Sequence, residues 1–209
     1  MIKTTKKRDA EFSKSEIIKN AIILFSKKGF SSSSMDELAK MSGLNKAMIF
    51  YYFKNKQGLY EAVMEVVLDE IYTIIQSENQ KHTNPMDELE NFIKTYASFA
   101  CTHPYLPALL LKELSDSGAM IPEKLFYNMR KLFALFSDIL IRGEKEGCFE
   151  EAIPMILYFM VIGTLNLMVT TKPLREKALE IEGLDTCASC DIDEISDYLI
   201  KKIKKMLRN

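Results

Sequence analysis

The feature that most restricts this chain is the run from Ala152 to Thr171, 20 consecutive residues without a charge. A helix of ~20 apolar residues is just long enough to cross a bilayer, so a membrane span is one way to accommodate it. Pro154, Gly163, Thr164 and Asn166 interrupt the run, and no cluster of aromatic or basic anchors flanks both of its ends. The other solution is a helix covered on all sides within a dimer, one face lying on its own subunit and another on the partner's. The run is read this second way, with no membrane partner and with Leu165 among the residues placed at the subunit interface.

The rest of the chain reads as helix as well. Only 8 glycines and 6 prolines punctuate 209 residues, too few to supply the tight turns of a β fold. The breaks that do occur coincide with capping signals. Residues 1–12 read as a flexible basic arm, and Ser13 with Glu16 forms a capping box for a first helix that Gly29 stops. Ser34 with Glu37 is a second box, opening a short helix through Met41, and Gly43 breaks that helix. Asn45 caps another short helix running to Tyr52. Beyond Lys56 a long helix carries Leu59, Val63, Val67, Ile71 and Ile75 at helical spacing and ends near His82. Asn84-Pro85 opens a helix to Thr102, Leu109–Leu114 continues after the prolines, Pro122 opens a helix to Glu146, and Pro154 opens one that stops at Pro173. A polar loop then leads to a final amphipathic helix from Ile192 to Leu207.

Charge divides this all-α chain in two. Residues 1–56 hold 12 Lys and Arg against 5 Asp and Glu, a net +7, whereas residues 57–209 hold 16 against 24, a net −8. A basic head on an acidic body points to a polyanionic partner for the head, and nucleic acid is the commonest. The polar start, MIKTTKKRDAEF, contains no apolar targeting segment, so a cytoplasmic location is expected. Neither His82 nor His103 has a neighbouring nucleophile and carboxylate, and no phosphate-binding glycine loop exists, so no enzymatic activity is expected.

Two short helices across a glycine turn are the mark of a helix-turn-helix. Ser34–Tyr60, reading SMDELAKMSGLNKAMIFYYFKNKQGLY, resembles the TetR family of bacterial regulators. The matching features are Leu24-Phe25, Gly29-Phe30, Glu37-Leu38-Ala39, Gly43-Leu44, Asn45-Lys46, and Ile49–Phe53 followed by Lys54, Lys56 and Leu59. Phe50 stands where the family usually has tyrosine. Asn45, Lys46, Ala47 and Met48 are expected to face the major groove, with Phe50 against thymine methyls or sugars. Tyr51, Tyr52, Lys56, Ser33 and Ser34 are expected at the phosphates, while Ile49 and Phe53, four apart, pin the helix to the core.

The resemblance implies a three-helix DNA-binding head, residues 1–56, joined by a long helix to a larger helical body, residues 57–209. It also implies that Pro154–Thr171 and Ile192–Leu207 pair with their twins as a four-helix bundle. The two recognition helices would then meet successive grooves of a pseudo-palindromic double-stranded operator. A small-molecule effector, apolar or aromatic, would sit among the middle helices, with Phe92, Tyr96, Phe99, Tyr105, Phe126, Met129, Phe133 and Tyr158 as candidate lining. The expected activity is ligand-released repression. A second reading gives the sensing role to a CxxC pair, Cys187 and Cys190, responding to thiol oxidation or a metal. A third is a helical interaction protein without DNA binding. The pair alone lacks the four ligands of a structural zinc site, and neither a metal nor a cofactor is expected.

Overall fold

A computed structural model describes residues 2–115, 123–178 and 191–208. These residues form ten helices: α1 (Ile2–Ser32), α2 (Met35–Ser42), α3 (Lys46–Phe53), α4 (Lys56–Asn79), α5 (Pro85–Thr102), α6 (Tyr105–Ser115), α7 (Glu123–Lys145), α8 (Pro154–Thr170), α9 (Lys172–Ala178) and α10 (Ile192–Leu207). No strand occurs among them.

Local chemistry sets most of the boundaries. Ser34 and Asp191 each form a complete capping box, with Glu37 and Glu194 respectively. Asn84 accepts the Asp87 amide proton at 2.9 Å, and Pro85 fills the first helical position, where no donor is needed. α5 is the hub of the body, packed on α4, α7, α8 and α10. Phe92, Ile93, Tyr96, Ala97 and Ala100 are accordingly all buried. Each large apolar side chain removed from water there contributes roughly 1.5–3 kcal/mol. A buried-edge ion pair fixes α7 against this hub: Arg142 reaches both Glu88 oxygens, at 3.0 and 2.5 Å, and Asp138 at 2.8 Å. These carboxylates, Glu88 first, hold the guanidinium firmly in its charged form.

Three expectations require correction. The basic arm is helical: α1 runs from Ile2 straight through Ser13, which therefore does not mark the start of a helix. The backbone leaves helical geometry at Gly29, whose φ of 76° is open to glycine at no steric cost. Pro173 does not end the helical path, because the chain bends by 63° after Thr170 and Pro173 falls in the first turn of α9, where proline is tolerated. Finally, Leu165 is wholly buried within its own chain, beside Leu157 and Val161, and so cannot belong to an outward face. The outward side of α8 carries Ile156, Phe159, Met160 and Leu167 instead. No single helix among the described residues is long and apolar enough to cross a membrane; the bent pair α8–α9 meets the criterion by length and composition only.

Candidate nucleic-acid interface

The head is built on a small apolar core. Ile17, Ala21, Leu24 and Phe25 of α1 meet Met35 and Leu38 of α2, Ile49 and Phe53 of α3, and Leu59, Tyr60 and Val63 of α4, all buried. Phe25, Phe30 and Tyr60 add an aromatic cluster with centroids 4.6–6.3 Å apart. α2 and α3 are joined through Gly43 in the left-handed region, φ 65°, the conformation a short helix-to-helix turn requires here. Across the α1–α2 junction Lys28 pairs with Glu37. That bond and the Ser34 amide hold the Glu37 carboxyl below its usual range.

With Ile49 and Phe53 committed inward, the opposite side of α3 faces solvent. Asn45 accepts the Ala47 amide proton at 2.9 Å as the N-cap. Asn45, Ala47, Met48, Phe50 and Tyr51 are exposed, and Tyr51 is 83% accessible. Tyr52 is half-buried, its ring edge-on to Tyr51 at 5.4 Å. Lys46 extends back to Asp36 of α2 at 2.8 Å. Lys56 lies 4.5 Å over the Phe30 ring and donates to the Ser31 carbonyl at 3.1 Å. The serines are separated: Ser34 is exposed at its cap, whereas Ser33 is buried and donates to the Gly29 carbonyl at 2.6 Å.

Sequence reasoning missed the joint between α3 and α4. Lys54 has φ 64° and ψ −50°, and the Asn55 amide donates to the Phe53 carbonyl at 2.7 Å, which is the γ-turn with a positive central φ, a strained turn for a residue with a side chain. Asn55 then caps α4 through the Gly58 amide at 2.8 Å. A β-carbon on Gly58 would lie 2.3 Å from the Phe53 carbonyl oxygen, so only glycine fits. Neither Lys54 nor the Gly58 contact carries a turn signal that a sequence could display.

The eight body residues divide as well. Phe92, Tyr96, Phe133 and Tyr158 converge, with Phe136, into one aromatic group: Phe92 to Phe136 at 5.0 Å, Phe136 to Tyr158 at 5.5 Å and Phe133 to Tyr158 at 5.3 Å. Within it Tyr96 donates to Asn166 Oδ1 at 2.9 Å, and burial pushes the Tyr96 and Tyr158 phenols up, so both stay neutral. Nothing in the sequence singles out Phe136, and Asn166 shows there only as a polar interruption of the uncharged run. Phe99 stacks on His103 at 4.0 Å, at the edge of an open groove of about 520 Å³ between α4 and α5. Tyr105 is buried beside it, edge-on to His103. Phe126 is more than half exposed and Met129 half-buried on α7. Cys187 and Cys190 lie outside the described residues; Cys101 and Cys148, within them, are free thiols. No group of three His, Cys, Asp or Glu side chains converges as a metal site among the described residues.

Comparison with known proteins agrees with this architecture. Residues 17–63 match the family of bacterial regulatory proteins of the tetR type, and residues 62–188 match the YsiA-like protein C-terminal region. The probable HTH-type transcriptional regulator YttP of Bacillus subtilis (strain 168) is 26% identical over 162 residues, covering 77% of this chain and 78% of that protein. The biofilm operon icaADBC HTH-type negative transcriptional regulator IcaR of Staphylococcus aureus (strain Newman) is 35% identical over 133 residues, covering 57% of this chain and 72% of its own length. Among solved structures, the transcriptional regulator FadR of Bacillus subtilis in complex with stearoyl-CoA superposes with a TM-score of 0.76 at 18% identity, covering 93% of this chain and 99% of that one. With its helix-turn-helix head and helical body matched in turn, this chain belongs to the tetR family of bacterial regulatory proteins and is a helix-turn-helix transcriptional regulator.

Proposed function

We propose that the protein is an operator-binding repressor that acts as a homodimer and is released by a small-molecule effector with a long apolar portion. The observation that carries this reading is the division of α3 into an anchored side, Ile49 and Phe53, and an exposed side bearing Asn45, Ala47, Met48, Phe50 and Tyr51. An element that small, held rigidly and presenting polar and apolar groups outward, suits insertion into a major groove. In that complex Lys46 exchanges Asp36 for DNA, Tyr51 and Tyr52 bond phosphate, Ser34 offers its cap, and Lys56 supports the backbone contact from the start of α4. Ser33, with its hydroxyl bound to Gly29, is left out of this set.

Dimerisation through α8 and α10 is supported by their outward apolar side chains, Phe159 and Leu167 on one and Tyr198 and Met206 on the other. The effector seat is assigned to the aromatic group around Tyr158 and Asn166. The acyl chain of stearoyl-CoA held by the FadR neighbour makes an acyl-coenzyme A thioester the first ligand to try. For the DNA reading the decisive experiment is titration of duplex DNA, selected from random sequence, against the parent, Lys46→Ala and Tyr51→Phe at several salt concentrations. Lys46→Ala should cost roughly 1–3 kcal/mol per half-site if it reads a base, and Tyr51→Phe should weaken binding without altering stability. Parent-like binding by both variants at every salt would sink the assignment of α3 as the reading helix.

A further inference from the structure

α3 is short of side chains that can read a base. Its eight residues carry a single charge, Lys46, and Ala47, Met48 and Phe50 on its exposed side have nothing with which to hydrogen-bond. The Asn45 side-chain oxygen is committed to the Ala47 amide as the N-cap. Base pairs differ in the major groove by donors as well as acceptors: guanine shows the acceptors N7 and O6, and cytosine the amino donor N4. Lys46 can answer only the acceptors. The acceptor nearest to it comes from another element.

That acceptor is Asp36, in the first turn of α2, its side chain 67% exposed and its carboxylate 2.8 Å from the Lys46 ammonium. The Phe50 ring lies to the other side, its centroid 6.0 Å away, and among the described residues Asp36 is the one hydrogen-bond partner of that ammonium. The other acid of α2, Glu37, is occupied by the Ser34 cap and by Lys28. An exposed pair such as Asp36–Lys46 contributes little to stability and opens easily. Its spacing is that of the hydrogen bond inside a base pair. Guanine O6 and cytosine N4 are bonded to each other, so the acceptor and donor they show to the groove lie ~2.9 Å apart. Lys46 and Asp36 present the complementary donor and acceptor at nearly the same separation. An A·T pair shows a similar couple, but a methyl group adjoins thymine O4 where guanine has N7, and the ammonium loses its second acceptor. A reversed C·G pair sets donor against donor.

We propose that Asp36 is a specificity-determining residue of the DNA interface. When Lys46 turns to a guanine, the freed Asp36 carboxylate accepts from the amino group of the paired cytosine, so α2 and α3 together read one G·C pair in each half-site. Elsewhere on DNA the same carboxylate meets phosphates and base acceptors and weakens the complex. The proposal rests on α3 being the reading helix.

Duplex selected from random sequence by the parent protein is the probe, with base pairs replaced one at a time in both half-sites and a scrambled duplex as control. Parent binding should depend on one G·C pair per half-site by roughly 5–150-fold, most strongly when that pair is reversed. Asp36→Ala removes an exposed side chain and leaves the Ser34–Glu37 capping box in place, so the head stays folded. It should lose most of the preference at that pair and bind scrambled duplex more tightly than the parent. Lys46→Ala should lose preference at the same pair and bind scrambled duplex more weakly. A merely structural role for Asp36, at the positive end of α2, would instead weaken both duplexes alike. Parent-like base preference in Asp36→Ala, a loss at a different pair from that of Lys46→Ala, or scrambled binding no tighter than the parent's would overturn the proposal and leave α3 as the reader. Parent-like binding by Lys46→Ala would remove the reading helix and the proposal with it.

Discussion

Lys54 occupies a backbone conformation that residues with side chains rarely adopt, at the point where α3 hands over to α4. Such strain costs of the order of 1–3 kcal/mol and persists only where the surroundings impose it. Lys54→Gly should therefore raise the melting temperature, by an amount corresponding to about 1 kcal/mol once glycine's added freedom in the unfolded chain is subtracted from the relieved strain. Thermal melts followed by circular dichroism check this, and an unchanged or lower midpoint would show that the turn is not strained. Glu37 offers a second test, through pH. Lys28 first, and then the Ser34 amide, favour its ionised form in the folded head, so its folded pKa lies below its unfolded one. The stabilisation is therefore complete above the ordinary carboxylate value and is lost as pH falls through the lowered one. The difference in melting temperature between parent and Glu37→Gln should be constant from neutrality to about pH 5 and shrink below about pH 4. A gap that persists at lower pH would point to a role for Glu37 other than its charge.

At the scale of the element, α8 shows why an uncharged helix need not be uniformly buried. Leu165 faces the subunit's own core and Phe159 faces outward, 58% accessible. Phe159→Asp should leave the monomer folded but shift sedimentation toward a single subunit, whereas Leu165→Asp should lower stability by several kcal/mol by burying an unpaired charge. A stable dimer of the Phe159→Asp protein would remove α8 from the interface. Most elements were legible beforehand because their ends depend on neighbours in sequence: Ser34 with Glu37, Asn84 with Pro85 and Asp191 with Glu194 are local bonds. The failures have tertiary causes. Nothing within MIKTTKKRDAEF announces that the first helix continues through Ser13, and the side of α8 on which Leu165 falls is set by how that helix lies on α5 and α7. The same division holds for the site, where the exposed side of α3 followed from spacing, but the Lys46–Asp36 pairing, the burial of Ser33 and the Tyr96–Asn166 bond require the folded chain.

For the whole molecule, regulation requires that occupancy of the body change the presentation of two heads at once. If an acyl-coenzyme A thioester is the effector, stearoyl-CoA should lower operator affinity by a factor of roughly 5–150, and operator DNA should lower stearoyl-CoA affinity by the same factor, because coupling between sites is reciprocal. Anisotropy titrations run in both directions test this, and tight binding without any change in operator affinity would exclude the thioester as an inducer. The joint between α3 and α4 bears on how such a regulator can change over time. Gly58 against the Phe53 carbonyl sets the elbow through main-chain atoms, whereas Ala47, Met48, Phe50 and Tyr51 project away from it as exposed side chains. If α3 is the reading helix proposed above, the angle at which DNA is met and the letters that are read are specified by different atoms. A lineage could exchange one operator for another through successive surface substitutions, with the mechanical linkage inherited intact at every step.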